Sequence, residues 1–169
     1  MTPLHIAARK GLVEICQLII KNVDDKNPKN VHGWTPLHSA TKNSHKKICH
    51  LILKNVKDKN PKDKNGFTPL HFAARNGLVE ICREILENVV EKNPKDHKGS
   101  TPLHSAAKHC QFDVCKLILE NIQEKNPKDK YGLTPLDVTT DNFRSTFNKL
   151  VRDSRKSPKI VLHEVIDLC

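Results

Sequence analysis

An all-α solenoid of helix-turn-helix pairs, joined by β-hairpin-like loops, is the fold class that three periodic features of the 169-residue chain predict. The tetrapeptide Thr-Pro-Leu-His begins at Thr2, Thr35, Thr68 and Thr101 and returns as Thr-Pro-Leu-Asp at Thr134, each copy 33 residues after the one before. Glycine stands just ahead of each later copy, at Gly33, Gly66, Gly99 and Gly132, and cysteine recurs at Cys16, Cys49, Cys82 and Cys115. A fixed period of this length means one supersecondary unit repeated, because a single unit cannot bury its apolar face until neighbours cover it.

Each unit opens on a short helix. Thr2 stands where an N-cap is wanted, and Pro3 occupies the first helical position, where its missing donor costs nothing. After Arg9, Lys10 and Gly11 the chain turns into a second helix, with Ile15, Cys16, Ile19, Ile20 and Val23 on one stripe at helical spacing. The polar stretch 24–34 contains Pro28 and closes on Val-His-Gly, which makes it a turn-rich connector. The fifth unit, with Thr139, Thr140, Asp141 and Asn142 ahead of a helix from Phe143 to Arg152, is more polar and reads as a closing cap.

TPLHxAA at this period resembles the ankyrin repeat, over residues 1 to about 151. The resemblance implies a noncatalytic module that grips a partner on the concave side of the stack. It also implies that His5, His38, His71 and His104 link each helix start to neighbouring backbone. Ala7, Ala8, Ala40, Ala73, Ala74, Ala106 and Ala107 fill the small positions that let helices approach closely. Val23, Val56, Val89 and Ile122 stand where the family usually has glycine, so Asn22, Asn55, Asn88 and Asn121 are expected to take the left-handed turn. The domain division is 1–151 for the repeats and 152–169 for a tail.

No stretch is apolar enough to cross a bilayer and no secretory leader is visible, which predicts an intracellular, cytoplasmic chain. The first helix begins almost at the first residue, so the chain is expected either to be monomeric with a poorly covered first pair or to be part of a longer array. Neighbouring second helices lie ~10 Å apart, beyond the ~7 Å Cα separation a disulfide tolerates. The four periodic cysteines therefore read as buried thiols in a reducing compartment, with Cys110 and Cys169 exposed. None of the other histidines pairs with Cys or Asp at metal-ligand spacing, and no nucleophile motif or phosphate loop appears. Neither cofactor, metal nor catalytic residue is expected.

Positions that vary between repeats are free to meet a partner. In the hairpin tips these include His32 and Trp34, then Lys64, Asn65 and Phe67, then His97 and Lys98, then Lys130 and Tyr131. Late in the first helices they are Arg9 and Lys10, Lys42 and Asn43, Arg75 and Asn76, Lys108 and His109. Trp34, Phe67, Phe72 and Tyr131 suit binding, since aromatic anchors carry much of the energy of protein interfaces. For Trp34 and Phe67 the alternative is packing between adjacent hairpins, and Tyr131 is the freer ring. Phe112, Phe143 and Phe147 are expected in the core.

The formal charge of +10 draws on two lysine columns in the loops, Lys26, Lys59, Lys92, Lys125 and Lys29, Lys62, Lys95, Lys128. Asp63, Asp96 and Asp129 adjoin the second column, so a solvated edge is one reading and an acidic protein or peptide partner the other. Nucleic acid or another polyanion on this edge is the alternative function; the lack of any nucleic-acid-binding motif disfavours it. Glu84 replaces a leucine and is expected at the core margin. Lys46 and Lys47 put positive charge at the positive end of a helix, so the second repeat is expected to open first. In the tail, Ile160 to Leu168 has the spacing of a short helix.

Overall fold

The computed structural model describes residues 1–156. Its helices are α1 (Pro3–Lys10), α2 (Val13–Asn22), α3 (Pro36–Lys42), α4 (Lys46–Asn55), α5 (Pro69–Arg75), α6 (Val79–Glu87), α7 (Pro102–Lys108), α8 (Phe112–Asn121) and α9 (Asp141–Lys156). The first helices α1, α3, α5 and α7 pack on one another in sequence, as do the second helices α2, α4, α6, α8 and α9. Two helical layers result, and no strand occurs among the described residues. The tail helix expected at Ile160 to Leu168 lies outside the described residues. In the fifth unit, Pro135 to Val138 form a turn in place of a first helix, and α9 continues to Lys156.

The alanines and leucines of the first helices meet the second-helix stripe in one continuous core. Ile48, Ile52, Ile81, Ile85 and Ile118 are fully buried there, and so is Phe147. Two expectations need correcting. Ile15 is 46 % exposed, and Leu18 beside it is also open, because among the described residues α2 packs chiefly on α1 and α4. Phe112, at the start of α8, is exposed as well, whereas Phe143 packs partly buried against the core.

The hairpins need glycine twice over. Gly33 has φ +77°, and a Cβ there would stand 2.8 Å from the Lys64 backbone nitrogen of the next hairpin. That close approach lets the tips bond edge to edge: Lys64 N–H donates to His32 O, His97 N–H to Asn65 O and Lys130 N–H to Lys98 O, at 2.9 to 3.0 Å.

The second helices end differently from the expectation. Val23, Val56 and Ile122 are extended, and Asn88 has φ −111°, so the asparagines do not take the left-handed turn. Their side chains instead donate back to Leu18, Leu51, Glu84 and Leu117 carbonyls at 2.7 to 2.8 Å. The lysine column finishes the cap: Lys26 reaches Val23 O, Lys59 reaches Leu53 O, Lys92 reaches Leu86 O, and Lys125 reaches Leu119 O and Ile122 O. An ammonium at the negative end of each helix replaces the missing glycine motif. The next residue serves the following helix, since Asn27, Asn60 and Asn93 accept from the Leu37, Leu70 and Leu103 amides.

Left-handed backbone appears at the turn between paired helices, at Gly11, Ser44, Gly77 and Cys110. Glu84 sits at the core margin as expected, where it gains a partner: His50 Nδ1 lies 2.6 Å from its carboxylate. Lys46 lies 4.0 Å from Glu80 of the next repeat.

Candidate protein-binding surface

The periodic histidines hold the surface together. At His38, Nδ1 accepts from the Thr35 amide at 3.1 Å, so the ring proton resides on Nε2, which donates to Phe67 O of the next hairpin at 3.1 Å. The Thr35 hydroxyl, 2.9 Å from Nδ1, must then donate to it while accepting from the His38 amide. His5, His71 and His104 repeat the arrangement toward Trp34, Ser100 and Leu133 carbonyls. Burial holds all four below the ordinary imidazole range, His38 and His71 down to about 4. They are neutral braces. At the fifth unit Asp137 accepts from the Thr134 amide and hydroxyl, which pulls its pKa down, but it has no outward donor.

Cys16, Cys49, Cys82 and Cys115 are fully buried thiols. Desolvation raises Cys16 to about 11 and Cys49 and Cys115 to about 12, far from the thiolate form a nucleophile needs. Cys110 is exposed. Among the described residues no group of three or more His, Cys, Asp or Glu could hold a metal ion. None of their helices is long and apolar enough to cross a membrane.

The hairpin acids are committed to backbone. Asp63 Oδ1 accepts from the Asn65 and Phe67 amides at 2.8 Å, Asp96 and Asp129 make the same pair of bonds one and two repeats on, and Asn30 makes it in the first hairpin. Asp63 and Asp96 are buried in doing so. They shape turns and do not form a solvated edge with the lysines.

Of the residues expected to meet a partner, Arg9, Lys10, His32, Lys42, Asn43, Lys64, Asn65, Arg75, His97, Lys98, Lys108, His109, Lys130 and Tyr131 are exposed. Tyr131 is 71 % exposed and has no ring contact among the described residues. Phe72 differs from expectation, and Trp34 and Phe67 follow the packing alternative. Phe72 is buried, and Trp34 and Phe67 are half-buried around it, with Trp34 to Phe72 centroids 5.2 Å apart and Phe67 to Phe72 5.8 Å. Trp34 also donates from Nε1 to Asp63 at 2.9 Å. Packing between adjacent hairpins therefore describes Trp34 and Phe67, and leaves one part of each ring open. Lys42 lies over the Trp34 ring at 4.8 Å from its centroid, which joins a first-helix end to a hairpin.

Asn76 is spent on structure: its amide donates to Thr41 O and Lys42 O of the preceding helix. His45 caps Arg9 O and Gln111 caps Arg75 O in the same manner. Sequence reasoning passed over these two, although both stand where the other repeats have Leu12 and Leu78. A cleft of about 790 Å³ lined by Leu119, Ile122, Leu150 and Arg155 opens between α8 and α9, and none of the candidate residues lines it.

Comparison with curated proteins gives no significant match. A family model described as ankyrin repeats (3 copies) matches residues 1–63 and again 47–129. With that match over most of the chain, and with helix pairs repeating through the same residues, the protein belongs to the ankyrin repeat family, whose members are generally noncatalytic protein-interaction modules.

Proposed function

We propose that the chain is a noncatalytic recognition scaffold that grips a protein or peptide of acidic character on the concave side formed by its hairpin tips and first-helix ends. One observation carries this reading: the exposed side chains that differ from repeat to repeat stand on hairpins locked to one another by backbone bonds. A surface fixed before contact loses little entropy on binding. The polyanion alternative is weakened because one of its two lysine columns is taken up in capping helices. Buried neutral histidines and protonated thiols favour a noncatalytic role, and unpaired cysteines suit a reducing, intracellular setting such as the cytoplasm.

The test is selection of peptides from a displayed random library on the intact chain, then affinity measurement on a Lys64→Ala, Lys98→Ala, Tyr131→Ala variant. These side chains have no packing task, so the fold is kept. A loss of ten-fold or more is expected for most selected peptides. Unchanged affinity across them would remove the proposed side.

A further inference from the structure

We infer that the segment held on this side is an extended, polyproline-II-like acidic stretch with one carboxylate at every third residue, lying along the stack across successive repeats. The inference rests on the concave side being the binding side. Arg9, Lys42, Arg75 and Lys108 occupy the same position in four successive repeats, and all are exposed. The helices that carry them contain no acidic residue, and none of the four enters an ion pair among the described residues.

A basic residue in a last helical turn ordinarily answers the carbonyls there. Here those carbonyls have other partners, for His45, Asn76 and Gln111 of the following repeats already bond the Arg9, Lys42 and Arg75 oxygens. The nearby hairpin carboxylates of Asp63 and Asp96 are turned into their own backbone. What remains is a row of four cations, none within ion-pair distance of a carboxylate among the described residues.

The pitch of the row selects the partner. Stacked helices stand roughly one helix diameter apart, ~10 Å. A polyproline-II segment rises ~3.1 Å per residue with three residues per turn, so every third side chain returns to the same face after ~9 Å. In a β-strand, side chains share a face at every second residue, ~7 or ~13 Å apart, and both miss the pitch. Single-stranded nucleic acid carries a phosphate about every 3.4 Å by the duplex figure, a charge density these cations do not match. The half-open ring of Trp34, over which Lys42 lies, and the half-open ring of Phe67 across Phe72 add surfaces of the kind on which proline-rich segments dock.

The experiment measures fluorescence anisotropy of a labelled (Glu-Pro-Pro)5 peptide on the whole chain. It is compared with a peptide of the same composition whose glutamates are contiguous, a helical peptide with glutamate at every seventh position, and a thymidine oligonucleotide. The spaced peptide is expected to bind at least ten-fold tighter than each of the others. Lys42→Gln and Arg75→Gln should each weaken it about two- to five-fold, as exposed ion pairs do, while Lys95→Gln should leave it unchanged. Equal affinity for spaced and contiguous peptides, or preference for the helix or the oligonucleotide, would overturn the inference. If tip substitutions weaken the library peptides while these column substitutions change nothing, the inference falls alone. If neither set matters, the concave reading falls with it.

Discussion

Replacing Lys59 by methionine isolates the ammonium that ends α4. Methionine keeps the stem and its packing but removes the donor to the Leu53 and Val56 carbonyls. Hydrogen bonds to charged groups contribute about 1.5–3 kcal/mol, and an ammonium at a helix C-terminus adds about 0.3–1 kcal/mol. Lys59 is only half-buried, so solvent screens part of this and the lower end applies, about 1.5–2 kcal/mol. The same change at Lys92, one repeat away, should add to it, for a total of about 3–4 kcal/mol. Against a total stability of about 5–15 kcal/mol the double variant would be severely weakened. Urea unfolding followed by helicity and by the fluorescence of the single tryptophan, Trp34, measures both effects. The control is Lys95→Met in the exposed second column, expected within about 0.5 kcal/mol of the parent. If Lys59→Met and Lys95→Met share the parent's midpoint, the lysines of the first column are not caps.

Two further outcomes follow from backbone and burial. Ser44 and Cys110 adopt φ of 59° and 54° where Gly11 and Gly77 sit in alternate repeats. Left-handed backbone costs an L-residue about 1–2 kcal/mol and glycine gives back about 0.4–1 kcal/mol in chain entropy, so Ser44→Gly and Cys110→Gly should each stabilise by about 0.5–1 kcal/mol. A calorimetric midpoint about 2–3 °C higher for each is expected, and a lower one would refute the strain argument. Gly11→Ala should do the opposite, since its Cβ would meet the His45 ring at 2.7 Å. The second outcome concerns pH. His38 and His71 have folded pKa values of about 4 against 6.5 when unfolded, so the unfolded chain binds more protons between those limits. Stability is full above pH 6.5, falls as pH drops toward 4, and levels off below. Urea midpoints at pH 7.5, 5.5 and 4.5 should decline in that order, and a flat series would mean the rings are not buried neutral.

The architecture was legible because it is written four times over and echoed in a fifth: period, N-cap, proline and histidine each constrain the same helix start in the first four units, and the structure places them as read. The ends of the second helices were not legible. Val23 signalled that the usual glycine was missing, but nothing local showed that the replacement would come from a lysine three to six residues later, across a loop. The aromatic residues were half legible for a similar reason. Phe72 lies on the same helical position as Ile6, Ser39 and Ser105, which reads as variable surface, yet its ring is covered by Trp34 and Phe67 from two different hairpins. Likewise the acids beside the lysine column looked like counter-charges, because a turn that consumes a carboxylate looks in sequence like one that displays it.

The net charge of +10 therefore misstates the field that a partner meets, and in an informative direction. Four lysines are spent on helix ends, which removes them from the loop edge. Three aspartates are spent on hairpin turns, where their carboxylates bond backbone amides rather than lysines. These withdrawals leave the first-helix ends as a place where exposed cations recur with no carboxylate in the helix that bears them. An acid at the positions held by Asn43, Asn76 and His109 would neutralise this row, and none stands there. Charge left uncompensated at a repeating position costs self-repulsion in the isolated chain, and that cost is recovered when an opposite charge of matching pitch arrives.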